Sequence, residues 1–128
     1  MKGYLLDTHV LIWWWMDHPR LGEAARAVLQ DETNTLFFSS VSVWEIAVKR
    51  KAGRLELVAP LEELIADPSF QQLPMTHAHA LAVEALPDLH KDPFDRMLIA
   101  QARCDGLVLV TADQAIQGYP VDLLAADL

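Results

Sequence analysis

The hydrophobic residues of this chain fall into short runs, and polar residues, proline or glycine separate one run from the next. Three runs have the continuous apolar character of buried strands, at residues 2–6, 35–38 and 107–110. Weaker extended segments are predicted at residues 70–75 and 121–123. Helical spacing and helix-ending residues predict helices at residues 10–16, 22–30, 42–51, 61–66, 78–86 and 93–104, with a last helical turn at 114–117.

Strands alternate with helices along the whole sequence. This order predicts an α/β fold, a three-layer α/β/α sandwich around a mostly parallel central sheet. The 128 residues contain no internal repeat, low-complexity tract or linker, so we expect residues 1–128 to form a single domain. A chain of this length can bury a hydrophobic core without the help of disulfide bonds.

Composition and hydropathy exclude several classes of protein. Cys104 is the only cysteine, which rules out a disulfide-stabilised secreted scaffold, and we expect its thiol to lie inert in the core. The longest apolar run, residues 10–16, is far shorter than the roughly 20 residues that a membrane-spanning helix needs. Asp7 interrupts the apolar stretch that a secretory signal requires. The sequence therefore predicts a cytoplasmic protein without membrane contact.

Acidic residues stand where the predicted strands end. Asp7 directly follows the first strand, and Asp113 comes shortly after the strong strand near the C-terminus. Glu45 lies on the helix that follows the second strand, and Asp92 and Asp95 open the longest predicted helix. Because parallel α/β sheets bind ligands beyond the carboxyl ends of their strands, we expect these carboxylates to meet at one edge of the sheet.

Each acid also has a local explanation. Ser42 and Glu45 have the spacing of a helix capping box, in which Glu45 would be the third helical residue. Asp92 resembles a helix N-cap ahead of a first-turn proline, and Asp95 suits the positive end of the helix dipole. An aspartate that follows a strand, as Asp7 does, commonly belongs to a turn. For Asp92 the cap is the favoured interpretation, and for the other acids both interpretations stay open.

The joint pattern favours a metal site. Carboxylates that converge repel one another unless a cation neutralises them. A set of Asp and Glu oxygens suits Mg²⁺ or Mn²⁺ and not zinc, and such sites serve phosphoryl transfer or phosphodiester hydrolysis. The net charge of −8 argues against nucleic-acid binding, but divalent cations held by the acids would face the phosphates.

The order and spacing of four sequence blocks resemble the VapC-type PIN-domain proteins, the toxins of type II toxin–antitoxin systems. The blocks are LDTH at residues 6–9, SVWEI at 42–46, HKDPFDR at 90–96 and TAD at 111–113. The resemblance implies a toxin endoribonuclease that hydrolyses RNA with Mg²⁺ or Mn²⁺. It also implies a homodimer and a cognate, VapB-like antitoxin that inhibits the enzyme.

The same resemblance implies a site made of Asp7, Glu45, Asp95 and Asp113. The first three would hold the main metal ion. Asp113 would complete the site by binding a second ion or by orienting water. Asp92 is either a further ligand or only a helix cap.

Other polar residues are candidates for supporting roles. The hydroxyls of Thr8, Ser40 and Thr111 are close enough in sequence to support the acids, although capping or turn formation explains them more simply. Candidate RNA contacts are Arg96 and a basic cluster made of Lys49, Arg50, Lys51 and Arg54. The alternatives are an ion pair with an acid for Arg96, and a solvated helix terminus for the basic cluster.

Aromatic residues and histidines complete the set of candidates. Trp13, Trp14 and Trp15 are consecutive, so at least one should be exposed or lie in an interface, with base stacking as a further possibility. Trp44 is expected in the core. The histidines lack zinc-ligand spacing with cysteine and are predicted not to bind metal: His9, His77, His79 and His90.

Two other functions are compatible with the pattern. One is a non-catalytic PIN-like domain that binds RNA or protein. The other is a phospho-receiver domain, a class with an acid pair after the first strand and a lysine after the last strand. Here the first strand is followed by a single acid, Asp7, and no lysine follows Lys91.

Overall fold

The computed structural model describes residues 2–57 and 59–128. Its strands are β1 (Gly3–Leu6), β2 (Thr35–Ser39), β3 (Phe70–Leu73), β4 (Val108–Thr111) and β5 (Leu123–Ala125). Its α-helices are α1 (Thr8–Met16), α2 (Glu23–Gln30), α3 (Ser40–Lys51), α4 (Leu61–Ile65), α5 (His77–Ala82) and α6 (Pro93–Asp105). Short 3-10 turns follow α5 at Val83–Ala85 and β4 at Gln114–Ile116.

The five strands form one sheet in the order β3-β2-β1-β4-β5, and every neighbouring pair is parallel. The chain first extends the sheet on one side of β1, through β2 and β3. It then returns to add β4 and β5 on the other side. The direction of strand addition thus reverses between β1 and β4, and crevices that bind ligands open at such a point.

Helices cover both faces of the sheet. On one face, Leu6 of β1 and Val110 of β4 are buried together with apolar side chains of α1, α2 and α4. On the other face, Leu5 and Leu109 are buried against α6. Successive residues of a strand point to opposite faces, so continuous apolar runs are required when both faces are covered. The predicted three-layer α/β/α sandwich is confirmed.

Local signals fix the ends of α6. The Asp92 side chain accepts hydrogen bonds from the backbone N–H groups of Phe94 and Asp95, and Pro93 occupies the first turn. At the other end Gly106 adopts a φ of 64°, a left-handed conformation that glycine takes without strain. The predicted helix at residues 93–104 is therefore observed almost as expected.

Several details of the sequence prediction were wrong. The last strand was expected at residues 121–123 but lies at Leu123–Ala125, where Leu123 pairs with Leu109 of β4. Trp44 is not a core residue, since 59% of its surface is exposed. Cys104 is also exposed, on the solvent side of α6.

The three consecutive tryptophans of α1 lie at the edge of the hydrophobic core. Trp13, Trp14 and Trp15 are all half-buried and pack against the apolar cluster on that face of the sheet. None of them is fully exposed, and a role for one of them in an interface stays a prediction. In the described part of the chain, no helix combines the length and the apolar character needed to span a membrane.

Candidate active site

Asp7 lies between β1 and α1, at the point between β1 and β4 where the direction of strand addition reverses. Its backbone N–H extends the sheet by donating to the Val110 carbonyl at 3.0 Å. Its side chain caps α1, because Oδ1 accepts the Val10 N–H at 2.9 Å, and Oδ2 accepts the Thr111 hydroxyl. Burial, with only 4% of the residue exposed, raises the pKa of Asp7, and the nearby charge of Asp113 adds to the rise. The hydrogen bonds from Thr111 and Val10 lower the pKa of Asp7.

Glu45 is buried in α3 with 1% of its surface exposed. Its Oε1 accepts the Thr8 hydroxyl at 2.6 Å, and the Thr8 oxygen lies 2.9 Å from the Ser42 hydroxyl. Its Oε2 is paired with the ammonium group of Lys49, one turn further along α3. A carboxylate this deeply buried needs such partners, because burial without them disfavours its charge.

The capping box predicted at Ser42 and Glu45 is wrong. The helix begins earlier, at Ser40, and the hydroxyl of Ser39 caps it by accepting the Val41 N–H. Ser42 and Glu45 are one helical turn apart inside α3, and both face the buried interior beside Thr8. This placement takes Glu45 away from the solvated helix end and brings it to the neighbourhood of the other acids.

Asp95 lies in the first turn of α6, and its side chain is 16% exposed. Burial raises the pKa of Asp95 to about 7, and the negative charges of Asp92, Asp7 and Glu45 contribute to the rise. The interaction with His90 lowers the pKa of Asp95. Acids from β1, α3 and α6 therefore lie near enough to act on one another, as the sequence pattern predicted. Asp92 makes the cap hydrogen bonds described above, so the cap interpretation accounts for its contacts.

Asp113 lies at the open side of this group, with 39% of its side chain exposed. Its Oδ1 accepts the Ala115 N–H and caps the 3-10 turn that follows β4. Its Oδ2 lies 3.1 Å from Nε2 of His90. Asp113 thus approaches Asp7 from the β4 side, while its outer edge remains accessible to solvent.

His90 is a site residue that the sequence analysis did not identify. Its Nε2 lies 2.9 Å from Oδ2 of Asp95 and 3.1 Å from Oδ2 of Asp113. Its Nδ1 accepts the Asp92 N–H at 3.3 Å, so in the neutral ring the proton is on Nε2. A metal-binding histidine instead donates its second ring nitrogen to an acceptor. The geometry therefore describes a hydrogen-bond donor between two carboxylates, and the absence of metal binding by His90 stays a prediction.

The loop that carries His90 is held by Tyr119 and Arg96. The Tyr119 hydroxyl accepts the backbone N–H groups of Leu89 and His90, at 3.2 and 2.8 Å. The Arg96 guanidinium donates to the carbonyl of Pro87 at 2.9 Å and to the Tyr119 hydroxyl at 3.3 Å. Arg96 makes only a distant ion pair with an exposed acid, at 3.8 Å. Its predicted contact with RNA stays a prediction.

The remaining candidates divide between the site and its surroundings. Thr8 and Thr111 donate to Glu45 and Asp7, whereas the Ser40 hydroxyl accepts the Met75 N–H outside the site. In the basic cluster, Lys49 pairs with Glu45. The exposed members of the cluster are Arg50, Lys51 and Arg54.

The donor groups of this site fit a hard divalent cation. Asp7, Glu45 and Asp95 present carboxylate oxygens to one region, and the pKa of Asp95 is raised first by burial and then by the charges of the neighbouring acids. Carboxylate oxygens of Asp95 and Asp113 lie within 4.8 Å of each other, on either side of Nε2 of His90. A carboxylate-rich, oxygen-dominated site of this kind matches the preference of Mg²⁺ and Mn²⁺.

Comparison with known proteins agrees with this architecture. The PIN domain family matches residues 4–121. Ribonuclease VapC22 of Mycobacterium tuberculosis is 30% identical over 124 residues, 93% of this chain and 93% of VapC22. Ribonuclease VapC16 of the same organism is 34% identical over 70 residues, 48% of this chain and 50% of VapC16.

Solved structures share the fold at low sequence identity. VapBC2 from Rickettsia felis, bound to a promoter DNA fragment, gives a TM-score of 0.70 at 15% identity, covering 96% of this chain and 98% of that chain. FitAcB from Neisseria gonorrhoeae gives a TM-score of 0.66 at 19% identity, covering 96% of this chain and 97% of that chain. The phospho-receiver alternative finds no support in these matches. From residue 4 to residue 121, the chain belongs to the PIN domain family.

Proposed function

We propose that this protein is a metal-dependent endoribonuclease and the toxin of a type II toxin–antitoxin pair. The relatives described above carry the name ribonuclease, and the similar structures include VapBC from Salmonella typhimurium bound to DNA and a toxin–antitoxin complex from Klebsiella pneumoniae. The substrate would be RNA, and we expect the protein to act in the cytoplasm.

One observation carries the proposal. Three buried or nearly buried acids from different elements, Asp7, Glu45 and Asp95, lie close together, and burial with the charges of its acidic neighbours raises the pKa of Asp95 to about 7. A fold selected for stability alone gains nothing from acids placed in this way, because each must overcome the repulsion of the others. Strongly perturbed acids at the carboxyl edge of a parallel sheet are typical of a functional site.

The residues of the site have distinct tasks in this proposal. Asp7, Glu45 and Asp95 would hold Mg²⁺ or Mn²⁺, which supplies a Lewis acid that activates water and neutralises charge on the attacked phosphate. The hydroxyls of Thr8 and Thr111 fix the orientation of Glu45 and Asp7 by donating to one oxygen of each.

Asp113 and Asp95 would control water and protons. Asp113 is the most exposed of the four acids, so its carboxylate can accept a hydrogen bond from a water molecule and orient it at the opening of the site. Burial and the neighbouring acids raise the pKa of Asp95 to about 7, and a proton on this carboxyl group must leave before the carboxylate can bind a cation.

A protein partner is part of the proposal. A nuclease that cuts cellular RNA must be kept inactive, and covering or filling the acidic site would achieve this. The similar solved structures are complexes of toxins with antitoxins, so we propose a VapB-like antitoxin as the partner. We also propose a homodimer, which stays a prediction from the resemblance to the family.

RNA cleavage by the purified protein tests the assignment. The wild-type protein should cleave single-stranded RNA with Mg²⁺ or Mn²⁺ and lose this activity in excess chelator. Asp7→Asn and Asp95→Asn should each abolish cleavage, whereas Asp127→Asn, at an exposed position outside the site, should not. Cleavage that survives both active-site changes would refute the site. A folded protein that neither binds Mn²⁺ nor cleaves RNA would instead support the non-catalytic PIN-like alternative.

A further inference from the structure

A small cavity opens beside Asp7 and Asp113. Its volume is about 200 Å³, which leaves room for a phosphate group and several water molecules. The residues that line it are Asp7, His9, Trp13, Arg20, Ala112 and Asp113. Two of the four candidate catalytic acids therefore share a cavity with an arginine that plays no part in the site described above.

Arg20 is held at this cavity by an aromatic side chain. Its guanidinium carbon lies 4.8 Å from the centre of the Trp13 ring, a distance at which a cation is attracted to the face of an indole. The imidazole of His18 is also stacked on Trp13, with ring centres 5.8 Å apart. Nδ1 of His18 accepts the Arg20 N–H at 3.1 Å. Ring stacking and a backbone hydrogen bond therefore fix the start of the Arg20 side chain.

The loop that carries Arg20 is braced from α2. Arg26 donates to the carbonyl of His18 at 2.6 Å and to the carbonyl of Leu21 at 2.9 Å, and it forms an ion pair with Asp17. Asp17 adopts a φ of 51°, a left-handed conformation, and so turns the chain sharply after α1. The position of Arg20 beside the acids is thus set by contacts on both sides of it in the sequence.

The charge of Arg20 is available to a ligand. The ammonium group of Lys49 is paired with Glu45, and the Arg96 guanidinium is bonded to carbonyls and to the Tyr119 hydroxyl. Among residues 2–57 and 59–128, no carboxylate lies within ion-pair distance of Arg20. An arginine that is fixed in place and unpaired has the geometry to bind a phosphate through two N–H groups.

We propose that Arg20 and the cavity beside Trp13 form a subsite for an RNA phosphate next to the one that is cleaved. This inference rests on the proposed ribonuclease function and adds to it a residue that binds the substrate backbone. Phosphate contacts position a nucleic acid and carry no sequence information, so Arg20 contributes to affinity and register for every RNA sequence. Trp13 acts as a positioning residue, because its ring holds the guanidinium over the cavity.

RNA binding by an inactive protein tests the proposal. Asp95→Asn is used as the background, and fluorescence anisotropy measures its affinity for short labelled single-stranded RNAs of several sequences over a range of salt concentrations. Adding Arg20→Gln should weaken binding by about tenfold for all sequences. It should also reduce the slope of log K against log salt by about 0.7, the value expected for one phosphate contact on a single strand. Arg20→Lys should keep the slope because it keeps the charge.

Arg103→Gln is the matched control, since Arg103 is also an exposed arginine. It lies near the opposite end of α6, about 12 Å along the helix axis from Asp95. If Arg20→Gln and Arg103→Gln give equal slopes of log K against log salt, the proposed phosphate subsite is wrong. The ribonuclease proposal would then remain intact. Failure of the Asp95→Asn protein to bind any RNA, with no cleavage by the wild-type protein, would overturn both. Circular dichroism confirms that each variant is folded.

Discussion

Replacing Asp95 by asparagine should stabilise the folded protein while it removes an acid that the proposed reaction requires. Asparagine has nearly the same shape as aspartate, and its carbonyl oxygen can still accept the hydrogen bond from Nε2 of His90. The change removes only the ionisation. It therefore measures how much free energy the fold loses by burying a carboxylate beside the charges of Asp92, Asp7 and Glu45.

The magnitude follows from the pKa of Asp95, which rises from 3.8 to about 7 on folding. One pKa unit corresponds to about 1.4 kcal/mol, so the full penalty for the ionised side chain is about 4 kcal/mol. The folded state holds the proton more tightly than the unfolded state does. Stability is therefore lost as the pH rises from 3.8 to about 7, and the loss is complete above that range. Asp95→Asn has no ionisable group at this position, so its stability does not fall in this way as the pH rises.

Urea unfolding at several pH values measures the effect, with chelator present so that no divalent cation binds. The free energy of unfolding of Asp95→Asn minus that of the wild type should grow by about 3 kcal/mol between pH 5 and pH 8. Asp127→Asn, at an exposed position, provides the control and should show a flat difference. A difference for Asp95→Asn that is equally flat would show that burial and the neighbouring acids do not raise the pKa of Asp95 as the structure indicates.

Three further changes test the surroundings of the site. His90→Leu should weaken Mn²⁺ binding by about tenfold or more in calorimetry, while His90→Gln, which keeps an N–H donor, should retain most of the affinity; equal losses would argue against the donor role. Thr111→Val removes the hydroxyl that donates to buried Asp7 and should lower the free energy of unfolding by about 1–3 kcal/mol, a loss that Thr111→Ser should avoid. Gly22→Ala would place a Cβ atom 2.3 Å from the backbone of Leu128 and should cost about 1–3 kcal/mol in thermal unfolding; an unchanged melting temperature would show that the C-terminus moves freely.

The order of elements could be predicted because the chain marks them locally. Pro93 and Gly106 bracket α6, and apolar runs mark β1, β2 and β4. The last strand was misplaced because residues 121–125 offer more than one short extended stretch. Which stretch pairs with β4 depends on the register between Leu109 and Leu123, a contact between distant residues that no local pattern contains.

The acids of the site could also be found, because they follow strands or open helices at the edge where parallel sheets bind ligands. The surroundings of Glu45 could not be predicted in the same way. Ser39, Ser40 and Ser42 are all possible N-caps in sequence, and the choice of Ser39 places Glu45 inside α3 and not in its first turn. The contact between Glu45 and Thr8 joins residues 37 positions apart, so only the packing of α1 against α3 reveals it.

His90 was missed as a site residue for a related reason. The sequence test applied to the histidines asked for metal-ligand spacing, and His90 fails that test. Its position comes from the loop that Tyr119 and Arg96 hold through backbone hydrogen bonds, and Tyr119 lies 29 residues further along the chain. A donor that orients acids has no sequence signature of its own, since it needs only one N–H group in the right place.

Hydrogen-bond donors orient most acids of the site, and a fixed cation, Lys49, pairs with Glu45. This arrangement has a chemical consequence. Asp7 is oriented by a hydroxyl and a backbone N–H, and the ring of His90 lies between Asp95 and Asp113 with Nε2 within hydrogen-bond distance of both. Fixed cations at all of these positions would lower the pKa of each acid and stabilise the fold, but they would also satisfy the charge that attracts a metal ion. Neutral donors fix the direction of a carboxylate and leave most of its negative charge uncompensated. Burial and these uncompensated charges together raise the pKa of Asp95. In the proposed metal site, the loss of stability and the capacity to attract a cation would therefore have the same origin.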